Sequence, residues 1–232
     1  MRNFDVGQFI LYMVALVFSL SLHEAGHAWM SSRFGDDLAR SQGRISLNPI
    51  SHVDPIGTLL FPGLAFFTGA PLLGWARPTP VNPLRWRNKR VANFWVSIAG
   101  VLGNLSIALV SGIIIRVLYS TGVIDFGMEK FLVPVGTDSP IAAGAVELLY
   151  VFFRLNVGLA VFNLIPIPPL DGSKILSSIL PESFESAINA LEQFGFVLLF
   201  IAVFTGVFSA IFRVVMPFAI RMLFIGVPLE FG

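Results

Sequence analysis

His23, Glu24 and His27 belong to the run His-Glu-Ala-Gly-His, the most chemically distinctive group of residues in the sequence. Residues i and i+4 lie on one face of a helix, so both imidazoles can point at one metal ion. Glu24 would then be placed to take a proton from a metal-activated water as a general base. A catalytic zinc ion takes nitrogen and oxygen donors from about three protein ligands and leaves one position for water. The pattern predicts a hydrolytic zinc centre, although the same string also occurs by chance in soluble helices that bind no metal.

The segment around the motif weighs against chance, because residues 7–32 are almost entirely apolar and long enough to cross a bilayer. A charged group at the bilayer centre costs about 2.5–3.5 kcal/mol on insertion scales, so polar side chains at that depth are usually functional. Two of the three histidines of the chain fall in this one motif. These observations favour a metal site.

A third metal ligand has to come from elsewhere, and the absence of cysteine excludes a thiolate. His52 lies in a polar loop with Asp54 and is interpreted as an ordinary loop histidine. Asp171 follows a proline-rich stretch at residues 166–169, where the preceding helix must end. Two interpretations of Asp171 stay open on this evidence: a third ligand, or the N-cap of a helix over residues 172–180.

The composition indicates a membrane protein. Of 232 residues, 55% are hydrophobic and 12% are charged, and the mean hydropathy is +0.80. Soluble domains average about 45–50% apolar and about 25% charged residues. The hydrophobicity excludes a soluble secreted metalloprotease, and a net charge of +1 gives no electrostatic case for nucleic-acid binding.

The predicted fold is an all-α polytopic membrane protein, a single membrane-embedded domain over residues 1–232 with about five to six transmembrane or re-entrant segments. A short membrane-associated β element is expected after the first helix, at residues 44–47, and residues 77–81 are expected to be extended. Residues 56–75 are rich in glycine and proline, so a re-entrant hairpin and a span are both open. The other predicted segments are residues 7–32, 91–119, 141–165, 194–212 and 214–227.

The distribution of charge predicts the orientation. Residues 75–90 carry five Arg or Lys and no acid, whereas residues 120–140 carry three acids and one lysine. Because Lys and Arg are enriched on the cytoplasmic side, residues 75–90 are expected inside and residues 120–140 outside. The motif then lies near the inner end of its helix. Arg213 and Arg221 fit this scheme poorly.

Two motifs together resemble the site-2 protease family, the intramembrane zinc metalloproteases of peptidase family M50. They are His23 to His27, and residues 162–166 (Phe-Asn-Leu-Ile-Pro) with residues 170–172 (Leu-Asp-Gly). Residues 44–57 and 76–83 resemble the short branch that lacks PDZ and CBS domains. The resemblance implies one Zn²⁺ held by His23, His27 and Asp171, with Glu24 as the catalytic base.

By the same resemblance, Asn163 would lie near the scissile carbonyl. Residues 99–104 match a third element of the family only in part, since Val101 stands where the family usually has proline. No role is therefore carried over to Asn104, which is expected only to hydrogen-bond between helices. Gly26, Gly100 and Gly103 are expected to permit close helix packing.

The resemblance implies cleavage of peptide bonds in or near transmembrane segments of membrane-protein substrates, in a prokaryotic cell membrane. The substrate would unwind locally and pair with residues 44–47 by strand addition. The alternative is a zinc-binding membrane protein without proteolysis, either a transporter or a pseudoprotease. Arg154, near the middle of the fourth predicted helix, is expected to form an ion pair with Glu147, with gating or substrate docking as the alternative role.

Overall fold

A computed structural model describes residues 5–68, 74–128 and 130–227. The chain is mostly helical, with one antiparallel pair of short strands. The helices are α1 (Val6–Arg33), α2 (Leu38–Ser41), α3 (Phe61–Thr68), α4 (Lys89–Ser120), α5 (Pro140–Leu164), α6 (Asp171–Ile179), α7 (Glu185–Gln193), α8 (Gly195–Phe204) and α9 (Val207–Leu223). The strands are β1 (Ile124–Phe126) and β2 (Leu132–Pro134).

Within the described ranges, α1, α4 and α5 are the three helices long and apolar enough to cross a membrane. Each helix is preceded by an N-cap residue whose side chain accepts a hydrogen bond from a backbone N–H of the first turn. These N-caps are Asp5, Asn88 and Ser139 respectively. These helices match the spans predicted at residues 7–32, 91–119 and 141–165. A bent pair, Ser186–Gln193 with Gly195–Phe204, would add a fourth span if both halves belong to one segment.

The structure bears on two further predicted segments, one of them residues 56–75, for which the sequence leaves a re-entrant hairpin and a span open. Residues 55–60 form a turn of π-helix that continues into α3, and this apolar helix of residues 55–68 is shorter than a span. Residues 69–73, also part of the predicted 56–75 segment, lie outside the described residues. The predicted span at residues 194–212 is interrupted at Gly206, whose φ of 80° is left-handed and ends α8. α9 begins directly afterwards and takes up most of the segment predicted at 214–227.

The position predicted for the β element was wrong. Residues 44–47 form no strand, and the two-stranded sheet of the described residues lies between α4 and α5, with Asp125 paired to Val133. The reason is local, because the buried Arg44 guanidinium donates to the carbonyl of Ser51 and folds this segment back on itself. Burial and the neighbouring Arg77 lower the pKa of Arg44 from its ordinary value.

α4 lies at the centre of the helix packing and contacts α1, α5 and α6. A Cβ atom on Gly26 would lie 2.8 Å from the carbonyl oxygen of Ala99, and one on Gly103 would lie 3.3 Å from that of Leu22. These two glycines therefore let α1 and α4 approach closely, as the sequence predicts. On the other side of α4, an apolar cluster joins it to α5, the strands and α9 around the fully buried Ile115 and Phe224.

α6 is held against the first turns of α4 by side chains of α4. The Arg90 guanidinium donates to the carbonyls of Ser178, Ile179 and Leu180 at 2.6–2.7 Å, which satisfies carbonyls that the end of a helix leaves unpaired. One turn on, the Asn93 amide donates to the carbonyl of Lys174 at 3.1 Å. α4 thereby fixes the position of α6 relative to α1.

We expect Arg90→Ala to loosen α6, because three carbonyls at its end lose a charged donor. Hydrogen bonds to charged groups contribute about 1.5–3 kcal/mol, so backbone amides of α6 should exchange with deuterium roughly tenfold faster or more. The exposed neighbour Lys89, substituted by Ala, is the matched control. Equal exchange in the two variants would show that Arg90 does not hold α6.

Candidate metal centre

Three potential metal ligands from distant parts of the chain converge inside the protein. His23 and His27 lie one turn apart on α1, and Asp171 is the first residue of α6. The two Nε2 atoms lie 3.0 Å apart, and the Oδ2 atom of Asp171 lies 3.2 Å and 3.3 Å from them. All three residues are buried. The structure thus brings together the residues that the sequence singled out.

The hydrogen bonds behind the two imidazoles fix the direction of their lone pairs. His27 Nδ1 lies 2.7 Å from the carbonyl oxygen of Val96, which can only accept, so Nδ1 carries the hydrogen. His23 Nδ1 lies 2.7 Å from the Oδ1 atom of Asn104, which is also an acceptor. In its neutral form, each imidazole therefore presents an unprotonated Nε2 to the carboxylate of Asp171.

This arrangement places three electron-rich atoms together, and a cation is needed to make it favourable. Asp171 Oδ2 is buried and has no hydrogen-bond partner among the described residues. Donors at about 2.0–2.1 Å from a tetrahedral zinc ion are about 3.3–3.4 Å apart, close to the separations found here. Two imidazoles and a carboxylate are also a donor set that zinc uses in catalytic sites. The residues present fit a zinc ion.

The structure excludes one of the two interpretations of Asp171, the N-cap of α6. The N-cap of α6 is Leu170, and it makes no side-chain capping bond, so the expectation of an Asp171 cap is wrong. Asp171 instead lies inside the first turn and faces the imidazoles. The close approach behind it needs Gly172, since a Cβ atom there would collide with the carbonyl oxygens of Leu164 and Ile165.

A buried amide network supports His23. Asn104 on α4 donates from Nδ2 to Oδ1 of Asn156 on α5 at 2.9 Å, which orients its Oδ1 toward His23. Asn156 in turn donates to the hydroxyl of Ser19 at 2.8 Å, one turn before His23 on α1. Both asparagines are fully buried. Asn104 therefore contacts a proposed ligand directly, which is more than the interhelical hydrogen bond expected from the sequence.

Gly100 has a different role from the one predicted for it. A Cβ atom at this position would lie 2.5 Å from His27 Nε2 and 2.6 Å from His23 Cε1. The missing side chain therefore leaves space for the two imidazole rings, rather than for a neighbouring helix backbone.

Glu24 is held by the loop that precedes α4. The Thr79 backbone N–H donates to Glu24 Oε2 at 2.8 Å, and the Thr79 hydroxyl donates to the Glu24 carbonyl at 3.0 Å. Backbone contacts anchor the loop in turn, with Trp75 N donating to the carbonyl of Gly57 at 3.1 Å. Thr79 could not be identified from the sequence, because a main-chain donor has no side-chain signature.

A cavity of about 790 Å³ opens onto this group and is lined by His23, Glu24, His27 and Asp171. Asn163 also lines it, although its amide nitrogen donates back to the carbonyl of Leu159 at 3.0 Å. His52 lies outside the metal-ligand group, and it is buried rather than exposed, with Nε2 bonded to the carbonyl of Ser46.

Comparison with known proteins gives the family. The sequence profile of peptidase family M50 matches residues 11–202, which is most of the chain. The chain belongs to peptidase family M50. This confirms the family expected from the two motifs, and the matched range includes His23, His27 and Asp171 of this M50 peptidase.

Relatives of this M50 peptidase carry names of the same kind. It is 34% identical over 186 residues to YwhC of Bacillus subtilis, named as a candidate zinc metalloprotease; the match covers 80% of this chain and 76% of YwhC. It is 30% identical over 193 residues to Rip2 of Mycolicibacterium smegmatis, named likewise; the match covers 83% of this chain and 66% of Rip2. The protein is therefore related to metallopeptidases. No solved structure matches it significantly.

We expect Asn104→Ala to weaken metal binding, because His23 loses the acceptor that holds its ring and its tautomer. Loss of a residue that hydrogen-bonds to a metal ligand typically lowers metal affinity about 10–100-fold. Zinc release to a competing chelator measures the change. Ser106→Ala, an exposed position on the same helix, is the control. Identical affinities of both variants and the wild type would exclude a positioning role for Asn104.

We expect Gly100→Ala to abolish tight metal binding, because its methyl group would occupy space that both imidazole rings now fill. Zinc content of the purified protein measures the effect. Gly144→Ala is a matched control, since a Cβ atom at that helical position meets nothing within 4 Å. Full zinc content in the Gly100 variant would contradict the placement of the rings.

Proposed function

We propose that this M50 peptidase is an intramembrane zinc metalloprotease that hydrolyses peptide bonds in or near transmembrane segments of membrane-protein substrates. The observation that carries the proposal is that Asp171 of α6 converges with His23 and His27, which lie beside Glu24 on the apolar, span-length helix α1. Family membership and the zinc-metalloprotease names of the relatives support it.

His23, His27 and Asp171 are the proposed zinc ligands, with one ion per chain. Zinc in this position would supply a Lewis acid that makes water a nucleophile at neutral pH and polarises a peptide carbonyl. The acceptors Val96 and Asn104 hold both imidazoles in the tautomer that ligation needs.

Glu24 is the proposed general base. Thr79 binds one of its carboxylate oxygens, which leaves the other to take the proton of the attacking water and pass it to the leaving amine. Asn163 lines the same cavity and is proposed to orient the scissile carbonyl or to stabilise its developing negative charge. Its present hydrogen bond to Leu159 involves only the amide nitrogen.

The substrate is proposed to be a transmembrane segment that enters the cavity from the bilayer. An intact helix keeps its peptide groups in internal hydrogen bonds, so a segment with helix-weakening residues is the better substrate. Strand addition at residues 44–47 is not carried forward, because those residues form no strand. The basic residues 75–90 favour a site nearer the cytoplasmic side of a prokaryotic cell membrane.

We expect Glu24→Gln to lose cleavage while keeping the metal. Removal of a general base typically lowers the rate about 10²–10⁴-fold, whereas the three ligands remain in place. The measurements are zinc content and cleavage of a panel of single-span substrates by protein in liposomes. Asp37→Asn, at an exposed acid that pairs with Arg40, is the control.

The same experiment separates the proposal from a zinc-binding protein without proteolysis. Wild-type protein that holds zinc but cleaves no member of the panel would favour the transporter or pseudoprotease. Full cleavage by Glu24→Gln would reject the role of Glu24. Absence of tightly bound zinc from the wild type would reject the metal centre itself.

A further inference from the structure

Arg154 is a charged residue near the middle of a span-length helix that the proposed chemistry does not use. It lies 14 residues after the start of α5 and ten before its end, about 21 Å and 15 Å along the axis. The hydrocarbon core of a bilayer is about 30 Å thick, so both headgroup layers lie far from this position. An ionisable residue at such a depth needs a partner or a function.

The ion pair expected from the sequence is not formed. Glu147 pairs instead with Lys130, at 3.3 Å between Nζ and Oε2. Among the described residues, no carboxylate oxygen lies within 4.0 Å of the Arg154 guanidinium. Its neighbour is the ring of Tyr150, with Cζ 5.5 Å from the ring centroid. Tyr150 is itself stacked on Phe131, so a fixed aromatic face positions an exposed guanidinium.

The guanidinium belongs to the wall of the same cavity as the proposed active site. One face of α5 lines that cavity from Glu147 through Arg154 to Asn163. The other walls of the cavity are largely apolar and include Leu16 and Leu20 from α1 and Leu199 from α8. The carboxylates that line the cavity do not pair with Arg154: Glu147 pairs with Lys130, one oxygen of Glu24 accepts from Thr79, and Asp171 faces the imidazoles. A molecule that enters the cavity therefore meets the positive charge of the Arg154 guanidinium at membrane depth.

We propose that Arg154 is a substrate-specificity residue that binds an acidic side chain of the peptide in the cavity. This inference rests on the proposed protease function. Arg154 precedes Asn163 by nine residues, about 14 Å along α5, which is about four residues of extended peptide. The preferred substrate therefore carries Asp or Glu about four residues from the scissile bond, on the side toward the beginning of α5. Arginine suits this role, because it stays charged in an apolar site and binds a carboxylate through two N–H groups.

A phospholipid phosphate is the competing anion, and the position of Arg154 disfavours it. The residue lies at mid-helix rather than near either end, and it faces a cavity that also contains Glu24 and His23. A peptide that reaches those residues passes the Arg154 guanidinium. A phospholipid headgroup would have to leave the headgroup layer of the bilayer to reach it.

The test uses full-length protein in liposomes and a single-span substrate whose cleavage site is mapped by mass spectrometry. Glu or Gln is placed at successive positions two to six residues from that site on either side. We expect wild-type protein to cleave a Glu substrate about tenfold faster than its Gln counterpart at about the fourth position on one side only. Arg154→Gln should remove that ratio, and Arg154→Glu should favour Lys over Glu at the same position.

The control variant is Arg213→Gln, which removes an exposed arginine of α9 that is not part of the cavity wall; it should keep the wild-type ratio. Zinc content and thermal stability show whether the Arg154 variants are folded, and the Glu-to-Gln ratio is internal to each variant. Equal cleavage of Glu and Gln substrates by the wild type, or an unchanged ratio in Arg154→Gln, would overturn the proposal. So would a change only in the dependence of cleavage on phosphatidylglycerol in the vesicle, which would assign Arg154 to lipid.

The two proposals fail in different ways. If wild-type protein cleaves nothing, the protease function fails. If it cleaves through Glu24 but without preference for an acid, only the role of Arg154 fails.

Discussion

The convergence of two imidazole nitrogens and a carboxylate oxygen within 3.0–3.3 Å is the interaction on which the remaining structure depends. With both imidazoles neutral, these atoms repel one another unless a cation lies between them, and Asp171 Oδ2 is buried without a hydrogen-bond partner among the described residues. Several features of the helix packing allow these three atoms to come together. Gly100 leaves room for the rings, Gly172 lets α6 approach α5, and Arg90 ties the end of α6 to α4.

The polar side chains that support His23 are buried away from water and form hydrogen bonds with one another. The chain from Ser19 through Asn156 and Asn104 to His23 links α1, α5 and α4. Amide groups left unpaired in such surroundings would destabilise the fold, so the network restricts the three helices to one arrangement. The same hydrogen bonds orient His23, a proposed metal ligand. These residues therefore contribute both to helix packing and to the proposed metal site.

The two sides of the cavity differ in chemical character. The loop before α4 brings main-chain and hydroxyl donors of Thr79 to Glu24, so the proposed base sits against a polar wall. Away from the metal centre the lining is largely apolar, and its polar members include Glu147, Tyr150 and Arg154. An apolar peptide segment with an occasional acid is the ligand that such a surface would accept. The proposed chemistry and the proposed recognition of a peptide would therefore occupy adjacent parts of one cavity.

The sequence by itself determined the features that depend on neighbouring residues. Apolar length located α1, α4 and α5, and the spacing of His23 and His27 put both on one helix face, because helix periodicity is local. Contacts between distant residues could not be obtained in this way. His23 meets Asn104 across 81 positions, Glu24 is held by a main-chain N–H of Thr79, and Glu147 pairs with Lys130 rather than Arg154. Only the packing of α1, α4, α5 and α6 selects these partners, because many residue types could satisfy the same local pattern and the pairing depends on which helices meet.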